Sequence, residues 1–218
     1  SKLNDQAVIG SAGNKNTSHV TYTNNPNDEQ AGENGKTPDD VVIVFTYQTI
    51  VNKVTKNPAY DASKDTGKTG TDSDGNKEFI PLKGAGFTLY KKNASGTYEA
   101  VGSELKGKDM TTFTWSGLDD GDYKLVETTT PSGYNTIADI EFTITATHDV
   151  SSDTPTLISL SGGDKFTGVI STGVVSANIE NQSGAQLPST GGIGTTIFYV
   201  AGGILVAGAG VTLIAKKR

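Results

Sequence analysis

Three observations predict an all-β sandwich that ends in a single membrane-length segment. Short runs alternating apolar and polar residues recur along the chain. Turn formers separate them, and no stretch before residue 190 carries sustained helical periodicity. The 218 residues include 27 Gly with abundant Thr, Ser, Asn and Asp, a composition suited to short strands and many turns. Only the C-terminus departs from this pattern. Ile197 to Ala215 is free of charge, and as a helix it would span roughly 28 Å, enough for a hydrocarbon core.

Taken in order, residues 1–48 read as the closing strands of a preceding domain. Val20 and Tyr22 alternate with polar residues, Asn24-Asn25-Pro26-Asn27 breaks the pattern, and a polar loop from Asp28 to Asp40 leads into Val41-Val42-Ile43-Val44-Phe45. A second domain, residues 49–183, is expected to begin within that same long strand. Its predicted strands are 49–55, 87–91, 97–101, 111–115, 123–128, 140–146 and 174–181, at the spacing of a β-sandwich. Roughly 135 residues suffice for an adequate core. The charged, Gly-rich stretch from Pro58 to Glu78 is expected to be a flexible surface excursion. Residues 184–196 form a linker, 197–215 a transmembrane helix and 216–218 a basic tail.

The balance of charge narrows the function. A net charge of −6 argues against nucleic acid as a partner. Without cysteine there is no disulfide framework, thiol catalysis or thiolate metal site. No cofactor and no metal centre is expected. Ser1 is not preceded by an export signal, so the chain is expected to be the C-terminal part of a longer exported protein.

Strand phase picks out three polar residues. Residues two apart on a strand face the same way. By that rule Lys53 shares its face with Phe45, Tyr47 and Val51; Glu127 with Tyr123 and Leu125; Asn181 with Val175, Ala177 and Ile179. An amine, a carboxyl and a carboxamide on three strands are thus aimed at one apolar side. Desolvation drives amine and carboxyl towards their neutral forms. A neutral amine is a nucleophile, and a protonated carboxyl can polarise a carboxamide and carry a proton to departing ammonia. The expected product is a Lys53–Asn181 isopeptide bond, with Glu127 as the catalytic residue. Lys56 and Asn178 are the nearby rivals, and both fall on the opposite face.

The motif Tyr123-x-Leu125-x-Glu127-Thr128-x-x-Pro131-x-Gly133-Tyr134 resembles the E-box of pilin and collagen-adhesin B-type domains. Leu82-Lys83-Gly84-Ala85-Gly86-Phe87-x-Leu89-Tyr90 and Gly117-Leu118-x-x-Gly121-x-Tyr123 resemble other parts of that family. The resemblance covers nearly all of residues 49–183. It implies an inverse immunoglobulin-like sandwich in which a first-strand lysine bonds a last-strand asparagine beside the E-box glutamate; the matching positions are Lys53, Asn181 and Glu127. The NNPN turn and the TPDDVVIVFTY stretch resemble the end of a middle domain of Gram-positive backbone pilins. Asn24, in phase with Val20 and Tyr22, is accordingly a candidate for a second isopeptide whose lysine lies upstream of Ser1.

Near the C-terminus, Leu187-Pro188-Ser189-Thr190-Gly191, the apolar run and Lys216-Lys217-Arg218 follow in the order of a Gram-positive cell-wall sorting signal. The basic tail should stay cytoplasmic and everything upstream outside. This resemblance implies a sortase substrate, cut between Thr190 and Gly191 and joined to a peptidoglycan precursor or a neighbouring pilin subunit after transient residence in the membrane. The protein is then no turnover enzyme. It is a structural shaft subunit of a covalent pilus at the cell surface, whose intramolecular ties resist force. A monomeric wall-anchored adhesin stalk, or the stalk of a surface enzyme with its catalytic domain upstream, stands as the alternative.

Several other patterns are set aside. Residues 62–69 nearly match a phosphate-binding loop, but no helical pattern follows. Asp72, Asp74, Asn76 and Glu78 alternate as oxygen ligands do, without the spacing of an EF-type calcium loop. His19 and His148 are isolated and expected at the surface, and Trp115, alternating with Phe113, is expected in the core.

Overall fold

The structure, a computed structural model, describes residues 7–23, 34–149, 151 and 154–184. In chain order the strands are β1 (Asn14–Ser18), β2 (Thr21–Thr23), β3 (Asn34–Lys36), β4 (Asp40–Val44), β5 (Tyr47–Lys56), β6 (Phe79–Pro81), β7 (Gly86–Lys92) and β8 (Tyr98–Ala100). They continue as β9 (Leu105–Lys106), β10 (Thr112–Leu118), β11 (Gly121–Thr129), β12 (Ile140–Asp149), β13 (Thr156–Ser161), β14 (Thr167–Val169) and β15 (Val174–Glu180). The only described helix is one 3₁₀ turn at Ala62–Lys64. The fold is all-β, as its composition predicts.

Two sheets make the sandwich. One runs β10-β5-β15-β14 with β6 added to β5; the other runs β13-β12-β11-β7-β8 with β9 added to β7. The alternation that predicts the strands also fills the core. Tyr47, Val51, Phe87, Leu89, Phe113, Tyr123, Leu125, Ile144 and Val175 are all fully buried. Each such side chain contributes about 1.5–3 kcal/mol by leaving water. Phe87 meets Phe113 edge to face at 4.9 Å, and Phe142 stacks on Phe166 at 4.1 Å.

The pairing that positions the site is β5 with β15, which run parallel with Val51 opposite Ala177 and Lys53 opposite Ile179. The first and last strands of the sandwich are therefore neighbours. Just beyond β15, the Asn181 N–H donates to the Val54 carbonyl at 3.0 Å and carries the register one residue further.

The expected single strand through 41–55 is divided. β4 pairs with β1 in its own two-stranded ribbon, whereas β5 enters the sandwich, and the break falls at Phe45–Thr46. There the Thr46 carbonyl leaves the ladder to accept from Gly10 N–H at 3.0 Å. Gly10 and Gly173 sit in left-handed conformations (φ 92° and 68°), and a Cβ on Gly173 would lie 2.4 Å from the Gly10 Cα. Only glycine allows the two backbones to approach so closely.

The stretch from Pro58 to Glu78, expected to be loose, is pinned. Asp65 and Asp72 are buried within it and accept hydrogen bonds from the loop's own backbone. A run of apolar residues is not needed to order a loop whose carboxylates turn inward onto its amides.

Candidate functional site

Each side chain of the predicted trio arrives through the alternation of its own strand. On β5 the alternating buried positions are Tyr47, Thr49, Val51 and Lys53, with Val54 buried as well at the strand's end; on β11 they are Tyr123, Leu125 and Glu127; β15 delivers Val175, Ala177, Ile179 and then Asn181. Lys53 and Asn181 are 0 % exposed and Glu127 5 %. The structure brings all three together. Lys56 and Asn178 are exposed, and Asn178 instead accepts from the Asn52 amide on the outer face of the sheet.

The contacts form a closed triangle. Lys53 Nζ donates to Asn181 Oδ1, so the amine stands one bond away from the carboxamide carbon. Asn181 Nδ2 donates to both carboxyl oxygens of Glu127, at 3.0 and 3.1 Å. Glu127 Oε1 also lies 3.3 Å from Lys53 Nζ. The carboxyl thus touches both the amine nitrogen and the amide nitrogen, and can pass a proton from one to the other. Its second oxygen is held by the Ile137 N–H at 3.1 Å, a backbone contact from the segment after the E-box that strand alternation could not reveal.

Burial pushes the Lys53 amine below its ordinary value, with the Glu127 and Glu180 charges opposing. An amine sealed in an apolar core cannot keep its proton without a partner. Phe87 packs beneath it, its ring centre 5.4 Å from Nζ. The main chain at Lys53 is fixed from two sides, its N–H donating to Thr111 and its carbonyl accepting from Leu82.

The remaining candidates are distributed as follows. Asn24, Leu187 to Gly191 and the apolar run 197–215 lie outside the described residues. In the loop resembling a phosphate site, the amides of Thr69 and Gly70 point at the Asp65 carboxylate of the same loop, at 2.9 and 2.7 Å. Asp72 accepts from the amides of Asp61, Asp74 and Asn76, so its oxygens face the protein's own donors. Trp115 is buried in the core as expected. His19 is exposed beside Asp39. His148 departs from expectation: it is half-buried, stacks on Phe45 at 4.4 Å and shares a 2.8 Å hydrogen bond with the Tyr47 hydroxyl.

Comparison with known proteins adds two family matches. The SpaA prealbumin-like fold domain matches residues 67–155, which include Glu127 but neither Lys53 nor Asn181. The LPXTG cell wall anchor motif matches residues 179–218. No curated protein matches significantly. Among solved structures, the pilus 2b backbone protein of group B streptococcus is 24 % identical over 76 % of this chain and 49 % of its own, with a TM-score of 0.37. The T6 backbone pilin of serotype M6 Streptococcus pyogenes is 18 % identical over 84 % of this chain and 46 % of its own, at 0.47. BcpA, the major pilin subunit of Bacillus cereus, is 20 % identical over 81 % of this chain and 40 % of its own, at 0.39. The chain thus spans half or less of each of these proteins.

Proposed function

From a cell-wall-anchored surface protein that carries a prealbumin-like SpaA domain, we propose a structural shaft subunit of a covalently assembled pilus, strengthened by a self-made Lys53–Asn181 isopeptide bond. The observation that carries the second half is the buried triangle of Lys53, Glu127 and Asn181 between the first and last strands. The anchor match and the residues Leu187 to Gly191 carry the first half. In this reading residues 49–183 are the load-bearing domain and 1–48 the closing strands of the one before it.

The reaction needs only these side chains. The lone pair of neutral Lys53 attacks Asn181 Cγ, while Glu127 accepts from the carboxamide nitrogen and lies beside the amine. The proton lost by the amine moves through Glu127 to Nδ2. The Cγ–Nδ2 bond breaks, ammonia leaves, and Nζ and Cγ remain joined as an amide. One ionisable group, the amine, disappears from the core. The product relieves the desolvation that an unpaired buried charge imposes.

Intact mass of residues 1–182, which form one compact unit, tests the bond. The expected result is a mass lower by one ammonia, with Lys53 and Asn181 in one branched peptide. An unmodified mass in a folded sample would refute it. Deleting Leu187–Gly191 tests the sorting half in cells: the variant should stay in the membrane fraction, and high-molecular-weight ladders persisting in it would overturn sortase assembly.

A further inference from the structure

The proposed reaction must release ammonia from a site whose three side chains are closed to solvent. We propose that the cleft between the 135–138 segment and the end of β15 is the exit for that ammonia, with the Glu180 carboxylate at its mouth to receive it as ammonium. The inference rests on the crosslinking reading above.

The cleft holds about 290 Å³ and is lined by Asn135, Thr136, Ile137, Ala138, Glu180 and Gln182. A water-sized molecule occupies about 30 Å³ in the liquid, so several fit. A wall residue of the cleft contacts the reacting group directly. Ile137, on its wall, donates its N–H to Glu127 Oε2, and Glu127 is the group bonded to the leaving nitrogen. Glu180, on another wall, is near enough for its charge to act on the Lys53 amine. The opening is also built rather than incidental: the Asn135 N–H donates to the Gln182 carbonyl at 3.1 Å and ties the segment to the strand end. A single hydroxyl–hydroxyl contact, Thr130 with Thr136 at 2.6 Å, braces the segment's other side.

Exit matters because the step exchanges one amide for another. The two sides of such an exchange differ little in bond energy, so ammonia held beside the new bond can attack it and reverse the reaction. Protonated at the mouth, the same molecule is no longer a nucleophile. A carboxylate there favours that form and keeps it from returning.

The test follows crosslinking of residues 1–182 after cell-free synthesis, with aliquots quenched in denaturant and weighed intact. Ala138 is exposed and lines the cleft. Ala138→Trp should reach the same final mass at least about tenfold more slowly, and Ala138→Ser should match the wild type. Equal rates for Ala138→Trp and wild type, with matching far-UV circular dichroism, would overturn the exit. Glu180→Gln supplies a second, independent sign. Removing a charge that helps keep the proton on Lys53 would by itself hasten attack, whereas loss of the ammonium acceptor slows completion. A slower reaction supports the exit, and a faster one overturns it. A wild-type protein that never loses ammonia would instead overturn the crosslinking reading beneath it.

Discussion

Two regions of this molecule withdraw carboxylates from water, with opposite chemical results. In the loop from Pro58 to Glu78, Asp65 accepts from the amides of Thr69 and Gly70, the Thr69 hydroxyl and the Tyr60 hydroxyl. The Thr69 amide in particular holds it below the ordinary carboxylate range. Burial works against Asp72, yet the amides of Asp61 and Asn76 still hold it low. Glu127, by contrast, meets one backbone amide and otherwise an amine and a carboxamide. Fixed backbone donors make a buried carboxylate an inert staple. Side-chain partners that can exchange protons suit it to the transfer proposed above. Where the donors come from decides which.

The largest effect is expected in the buried triangle. Lys53→Ala, Asn181→Ala or Glu127→Ala should each abolish the ammonia loss while leaving a folded domain. The tie would close 128 residues of sequence separation. A loop of that size contributes about 5 kcal/mol, so the melting temperature should fall by about 10–20 °C and protease resistance with it. Crosslinked Glu127→Ala would remove that residue from the mechanism.

Next comes a pH effect confined to the untied protein. In Asn181→Ala the amine stays in the core, with its folded value depressed below the ordinary 10.5. The unfolded chain then binds the proton more tightly, so stability should rise with pH from the folded value up towards 10.5. Melting temperatures between pH 6 and 9.5 should climb in this variant relative to the wild type, in which the proposed bond removes the amine. Parallel curves would place the amine in contact with water.

Smaller still is the effect expected at the staple. Asp65→Ala should expose 58–78 to proteolysis and amide exchange without altering the crosslink. The carboxylates here sit below their ordinary value, so their contribution is present at neutral pH and is lost only as pH falls beneath about 3.8. Local exchange that is unchanged at pH 7 would deny Asp65 its role. Smallest is Lys56→Ala, an exposed change expected to stay within about 0.5 kcal/mol and to leave the crosslink complete.

The readable part of this fold lies in its period of two. Tyr123-Lys124-Leu125-Val126-Glu127 announces which way Glu127 points, and the same counting separates Lys53 from Lys56 and Asn181 from Asn178. What stayed hidden depends on hydrogen bonds and not on hydropathy. β6 and β9 are three and two residues long, too short to show an alternation. β13 and β14 lie among Ser, Thr and Gly, and the adjacent Leu157 and Ile158, one buried and one exposed, show no clean apolar alternation. The loop is ordered by Asp65 reaching residues four and five ahead, a pattern hidden behind its likeness to a phosphate site. His148 gave no periodic signal because its partners, Phe45 and Tyr47, lie about a hundred residues away.

The parallel register of β5 with β15 has a consequence best put as contour length. With Lys53 joined to Asn181, a stretched chain enters at Tyr47, runs to Lys53, crosses to Asn181 and leaves. The residues from Val54 to Glu180 never come under tension. At about 3.4 Å per residue they represent roughly 430 Å of slack that stays folded away. A filament of such units should lengthen under pull by almost nothing per subunit. One made from the Glu127→Ala variant should pay out its slack in steps of hundreds of ångströms.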